Sequence, residues 1–199
     1  MEGPVGALEV AIDESALPQA HGTVVICHPH PVHGGTLDNK VVQTLARAWL
    51  QIGWRAVRFN FRGVGASAGV WDHGRGEIDD AVAVAQAHAP IDQPLAVAGF
   101  SFGAYVASHL AARLGSTRRV HQLVLVAPAT QSFEVAAAPA HTLVVHGEND
   151  DVVPLAATFD WARPQSLPIV VVPGGGHFFH GQLPLLKSIV LRHVGSGTH

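Results

Sequence analysis

The chain has one cysteine, few charges and no long apolar run, and each shortage excludes something. Cys27 alone cannot close an internal disulfide, so nothing implies an oxidising compartment. Its expected place is a small buried residue at a strand end, because free cysteine is usually buried. Charged residues make up only 14% of the chain, and a net charge of −3 with scattered arginines leaves no basic patch for nucleic acid. No apolar stretch approaches the ~20 residues of a membrane span. The N-terminal MEGPVGALEV lacks the basic-then-apolar layout of a signal peptide. A cytoplasmic protein without a nucleic-acid or membrane partner is expected. No composition break, low-complexity tract or internal repeat marks a boundary, so one domain over residues 1–199 is expected.

What the chain does have is short apolar runs separated by helix-like segments. The runs are residues 7–12, 23–27, 55–60, 95–99, 122–127, 142–146 and 169–172, and several are continuously apolar, as strands buried on both faces are. Helical patterns occupy roughly 39–52, 77–88, 103–114, 155–161 and 183–194. Strands alternating with helices imply an α/β fold with one doubly wound, mostly parallel sheet. Ligands in such sheets sit beyond the carboxyl ends of the strands, so the residues just after each run are the ones to read.

After the run at 95–99 comes Gly-Phe-Ser-Phe-Gly, a G-x-S-x-G that opens a helix. A serine on a sharp strand-to-helix turn has its hydroxyl pushed out of the sheet, and small residues two before and two after keep the turn free of collision. The helix that follows aims unpaired N–H groups at developing negative charge. Ser101 is therefore the candidate nucleophile. A serine hydroxyl needs a base, and the base an orienting carboxylate. The run at 142–146 leads into HGENDDVVP and the run at 169–172 into PGGGH, which supply an acid and then His177. Asp150 is favoured as the acid, with Asp151 as a cap for the helix that begins after Pro154. Three glycines before His177 permit a tight loop that carries the ring over the sheet edge.

CHPHPVHGG, after the run at 23–27, suggests a second chemistry. His28, His30 and His33 have H-x-H-x-x-H spacing, and a metal-dependent hydrolase is the competing enzyme reading. A binuclear zinc motif of the H-x-H-x-D-H kind would need an aspartate where Val32 stands, and alternating His-Pro residues hinder two rings from converging on one ion. The His28 and His33 rings are expected to brace the loop by hydrogen bonds, with no metal. Further along, Arg62 either braces that loop or forms a surface salt bridge, and Glu77 fits a helix N-terminus.

HPHP-x-x-GG at residues 28–35, NKVV at 39–42, RFNFRGVG-x-S-x-G at 58–69 and GFSFG at 99–103 together resemble the α/β-hydrolase superfamily, and more narrowly a lidless bacterial serine-hydrolase branch. The resemblance spans nearly the whole chain. It implies a Ser101–His177–Asp150 triad, an oxyanion hole made by the Phe102 N–H with that of His30, Val32 being the fallback, no cofactor, and no cap domain in the short segment 128–141. The superfamily includes esterases, thioesterases, peptidases, transferases and non-catalytic members; the expected activity is that of a carboxylesterase on a small acyl ester, with thioesterase or acyltransferase as near variants. Phe100, Phe102, Phe178 and Phe179 are candidates to line a shallow substrate pocket. The reading from a different class is a non-catalytic binding protein on the same fold.

Overall fold

The computed structural model describes residues 1–17 and 21–195. The chain starts in a two-stranded ribbon of β1 (Glu2–Gly3) and β2 (Gly6–Ala7), followed by β3 (Val10–Asp13). The run at 7–12 is thus two strands and not one. Leu8 is buried and donates its N–H to Met1 O at 2.8 Å, which turns the chain between β2 and β3.

The strands β4 (Thr23–Cys27), β5 (Arg55–Phe59), β6 (Leu95–Phe100), β7 (Val120–Val126), β8 (Leu143–Gly147) and β9 (Ile169–Val172) are parallel to their neighbours. With the antiparallel β3 at one edge they form a seven-stranded sheet in the order β3-β5-β4-β6-β7-β8-β9. The helices are α1 (Lys40–Gln51), α2 (Arg75–His88), α3 (Phe102–Leu114), α4 (Leu155–Ala162) and α5 (Leu183–Gly195). α2 begins two residues before its expected start, because Gly74 at φ 93° supplies the N-cap in a conformation open to glycine.

Strand periodicity decides the layers. Val24 and Ile26 face a cluster that holds Leu45 and Trp49 of α1 and Leu186 and Val190 of α5. Val25 and Cys27, one residue out of phase, face Ile78 and Val84 of α2 and Val106 and Leu110 of α3. Both faces of β4 are therefore covered, which accounts for its continuously apolar sequence. Asn39 starts α1 by accepting the Val41 N–H on its side-chain oxygen at 2.9 Å, a cap worth about 1 kcal/mol.

The chain steps from β4 by way of α1 to β5, then crosses back by α2 to β6 on the other side of β4. The strand order reverses between β4 and β6, where an open α/β sheet leaves a crevice for ligands. The loop at 28–35 and Ser101 flank that crevice. The connection from β7 to β8, where a cap would be inserted, contains neither helix nor strand. Among the described residues no helix is long and apolar enough to cross a membrane.

Candidate active site

Ser101 sits between β6 and α3 at φ 57° and ψ −118°, a left-handed conformation that strains any residue other than glycine. Its N–H is tied to Val126 O of β7 at 2.9 Å, and its carbonyl accepts the Ala104 N–H at 2.9 Å. The two flanking glycines are there for space. A Cβ on Gly99 would collide with the Gly103 carbonyl, and one on Gly103 with the carbonyls of Cys27 and His28 at the end of β4. The closeness of α3 to β4 is what sets the serine at the crevice.

Asp150 follows β8 and His177 follows β9. Asn149 N–H bonds to Gly175 O at 2.8 Å, and no side chain fits on Gly147 beside the Gly175 carbonyl, so the two loops are joined backbone to backbone. His177 Nδ1 lies 2.7 Å from Asp150 Oδ2, and His177 Nε2 lies 3.0 Å from Ser101 Oγ. Ser101, Asp150 and His177 are all less than 10% exposed. The connectivity is that of a hydroxyl, a base and an orienting carboxylate. Burial raises the Asp150 pKa, but the hydrogen bonds from His177 and Val153 N–H, the imidazole's charge and the Val152 N–H outweigh it. The carboxyl is held below its ordinary range.

Asp151 is exposed, and Pro154, the N-cap of α4, receives no side-chain capping bond. The expected cap role of Asp151 is therefore corrected. Asp150 holds this turn instead, since its Oδ1 accepts the N–H groups of Val152 at 2.9 Å and Val153 at 2.7 Å.

His146 escaped the sequence reading. It is fully buried, with Nε2 2.9 Å from Val153 O and 3.4 Å from Asp150 Oδ2, and Nδ1 3.2 Å from Thr158 Oγ1. Burial lowers its pKa, against the raising effects of the Val153 carbonyl and Asp150, and His177 lowers it further. A histidine that ends an apolar strand run was the available signal.

In the loop after β4, His28 is buried and both ring nitrogens are engaged. Nδ1 lies 2.7 Å from Pro29 O, and Nε2 accepts the Phe61 N–H at 3.1 Å. This ring braces the loop as expected, whereas the exposed His33 braces by stacking on His30 at 4.5 Å. His30 Nδ1 accepts the Val32 N–H at 3.2 Å, and His30 O accepts the N–H groups of His33 and Gly35 at 3.1 and 3.0 Å. Among the described residues the His30 and Phe102 N–H groups donate to no backbone or side-chain acceptor, and no group of three or more His, Cys, Asp or Glu is arranged to hold a metal ion.

Ser101, His177, His30 and Phe178 line a cleft of about 190 Å³. Of the phenylalanines expected to line the pocket, only Phe178 does, with its ring 5.0 Å from that of His177. Phe100 and Phe179 are fully buried in the core on the α1 and α5 side, so their expected contact with substrate is corrected. The Phe100 ring backs the His177 imidazole at 4.9 Å, and the turn at Phe179, φ 52°, carries its side chain inward. The Phe102 ring packs on Phe61, Trp71 and Phe133, away from the residues that line the cleft. Arg62 does neither of the two things expected of it. It is buried in a bidentate pair with Asp80 of α2, at 3.0 and 2.8 Å. Glu77, also buried, accepts the N–H groups of Asp72 and Gly74 at 2.9 and 2.8 Å and so closes the start of α2.

Residues 18–140 match the family described as serine aminopeptidase, S33. An uncharacterized protein of Rickettsia prowazekii (strain Madrid E) is 30% identical over 193 residues, covering 89% of this chain and 79% of that protein. Among the solved structures similar over 98% of this chain are two bacterial ones at about 40% identity. One is a serine hydrolase without a lid from Xanthomonas campestris (TM-score 0.89, 38% identity, 92% of that chain covered). The other is a serine-hydrolase homologue from Coxiella burnetii (TM-score 0.86, 41% identity, 95% of that chain covered). With its parallel sheet, its strand-to-helix serine and its short β7–β8 connection, the chain belongs to the serine aminopeptidase, S33, family of α/β-hydrolases, as a serine hydrolase of the branch without a lid.

Proposed function

We propose that the protein hydrolyses small carboxylic esters through an acyl-enzyme on Ser101. The observation that carries this reading is the hydrogen-bonded line from Asp150 through His177 to Ser101 on a strained turn. Ser101 Oγ attacks the ester carbonyl while His177 Nε2 takes its proton. Asp150 accepts the Nδ1–H, which fixes the tautomer and stabilises the imidazolium. The Phe102 and His30 N–H groups receive the oxyanion, and each such donor is worth on the order of 10²–10³ in rate. His177 returns the proton to the leaving alcohol. Water, deprotonated in turn by His177, then releases the acid and restores the serine.

The family's name raises the alternative of an aminopeptidase. Such an enzyme must bind the charged amino terminus of its substrate, and an anionic partner is the usual means. Among the described residues no Asp or Glu lines the cleft. Asp150 is turned away on His177 and the 152–153 turn. Esters fit this lining better than peptides with a free ammonium.

The test is a fluorophosphonate probe read by intact mass, with p-nitrophenyl acetate and alanine p-nitroanilide as substrates. The expected result is one adduct on Ser101, turnover of the acetate well above that of the anilide, and loss of both labelling and turnover in Ser101→Ala. No adduct, or one on another serine, overturns the assignment.

A further inference from the structure

His146 is a polar residue where the strand pattern asks for an apolar one. It follows Leu143, Val144 and Val145 in β8, and its side chain is fully buried. Strand alternation turns it to the face of Val144, which clusters with Ala162 of α4 and with Leu167. Thr158 of α4, also fully buried, meets it there. An imidazole loses its hydration on burial and needs a partner at each nitrogen, a cost that leucine would avoid. The partners show what the ring does.

They also assign its proton. Nε2 lies 2.9 Å from Val153 O and 3.4 Å from Asp150 Oδ2. A carbonyl and an ionised carboxylate can only accept, so Nε2 carries the hydrogen. Nδ1 is then the acceptor of a neutral ring and takes the Thr158 hydroxyl at 3.2 Å. Thr158 Oγ1 lies in turn 3.2 Å from Thr130 Oγ1, on the segment that follows β7. Burial, with His177, lowers the His146 pKa against Val153 O and Asp150, which keeps the ring neutral at neutral pH.

This line of hydroxyls and imidazole ends on the turn that holds the carboxylate. The Val153 N–H donates to Asp150 Oδ1 at 2.7 Å while the Val153 carbonyl takes the His146 hydrogen, so Val153 is gripped from both sides. Asp150 Oδ2 has His177 Nδ1 at 2.7 Å and His146 Nε2 at 3.4 Å. The longer distance is beyond a good hydrogen bond, yet the N–H dipole still acts on that oxygen in a buried, weakly screening site. Two buried imidazoles converge on one carboxylate, and only His177 goes on to Ser101.

We propose that His146 is a positioning residue, which by holding Val153 fixes the Asp150 carboxylate at the distance and angle that His177 requires. Its effect on rate rests on the ester-hydrolase reading above; its effect on the Asp150–His177 bond does not. Thr158 keeps the imidazole in the tautomer that donates to Val153.

The test compares His146→Gln, His146→Asn and His146→Leu in the full chain. A glutamine amide places its NH₂ where Nε2 stands, whereas an asparagine amide ends near Nδ1 and falls short of Val153. Turnover of p-nitrophenyl acetate gives kcat and KM, and proton NMR follows the low-field line of the His177 Nδ1–H bonded to Asp150. In His146→Asn and His146→Leu kcat is expected to fall about tenfold with KM within about twofold, since misplacement by ~1 Å can cost on the order of 10² in rate. The low-field line should broaden in the same two variants. His146→Gln should recover kcat to within about threefold and keep the line sharp, although all three variants melt lower. If His146→Leu does not fold, His146→Gln and His146→Asn decide. Unchanged kcat and an unchanged line in all variants, with only the melting temperature moved, would make the ring purely structural and overturn the proposal. His146→Gln as impaired as His146→Asn would overturn it too. No turnover by the unaltered protein, with the line still broadened in His146→Asn, would sink the ester reading and leave the positioning role standing.

Discussion

Asp150 meets His177 at 2.7 Å with one carboxylate oxygen, and with the other it accepts two backbone N–H groups of its own turn. The same side chain thus orients the imidazole and shapes the loop that presents it. In Asp150→Asn the amide oxygen can keep the turn, but the amide NH₂ faces Nδ1 and favours the wrong tautomer. A fall in kcat of about 10³–10⁴ is expected, with KM little changed. Asp151→Asn should alter neither activity nor melting temperature, because that side chain makes no cap. Steady-state kinetics on both variants check this, and the opposite pattern would exchange their roles.

Gly103→Ala tests the approach of α3 to β4. The added methyl meets backbone carbonyls, which cannot rotate away as a side chain can. A loss of about 3 kcal/mol is expected, at the upper end of overpacking. For a chain of this size that is a melting temperature lower by roughly 6–12 °C. Calorimetry that shows an unchanged Tm would mean that the helix slides freely, and that the elbow is less constrained than described.

Burial pushes His28 down to about 4 from an ordinary 6.5, against the raising effect of its bond to Pro29 O. Between those values the unfolded chain binds the proton and the folded chain does not. The stability is therefore complete above about 6.5 and is lost as pH falls toward 4, by up to ~1.4 kcal/mol per pH unit. His146 and His30, also lowered first by burial, act in the same direction. Urea midpoints should fall between pH 7.5 and pH 5. His28→Asn should be less stable at the higher pH yet lose less on acidification. Parallel pH curves for the two proteins would contradict this account.

Exhaustive dialysis against EDTA should leave ester turnover unchanged. Both nitrogens of His28 are already engaged within the protein, and the His30 and His33 rings stack on one another and do not converge. Turnover lost to the chelator and restored by zinc would revive the metal reading of the opening loop.

With a cleft of about 190 Å³ and no helix in the β7–β8 connection, a long acyl chain finds little wall. Each CH₂ left in water forgoes roughly 0.8 kcal/mol. The kcat/KM for p-nitrophenyl esters should peak at short chains, and Phe178→Ala should raise KM with less effect on kcat. A preference for ~C12–C16 esters, or a rate increase at a lipid interface, would require an apolar cover.

Local sequence carried the sheet, the elbow and the pairing of Asp150 with His177, because glycine spacing, strand ends and turn residues are local signals. What it missed depends on long-range packing. Arg62 and Asp80 lie 18 residues apart, and only the docking of α2 brings them together. Phe100 and Phe178 look alike in sequence, yet strand alternation at the end of β6 sends the first into the core, while the loop between β9 and α5 leaves the second at the rim. His146 touches Asp150 only once the 150–153 turn has closed over it. The ribbon of β1 and β2 has two residues per strand, too few for any periodicity.

The uncapped β7–β8 connection also governs what becomes of an acyl group held on Ser101. Under the proposed ester reaction, an acyl group in a cleft without a cap would meet bulk solvent, and any other acceptor would compete with water at its full concentration. A transferase must keep water out long enough for its acceptor to arrive. On that reading the short β7–β8 connection favours hydrolysis over transfer, whatever the residues that touch the substrate.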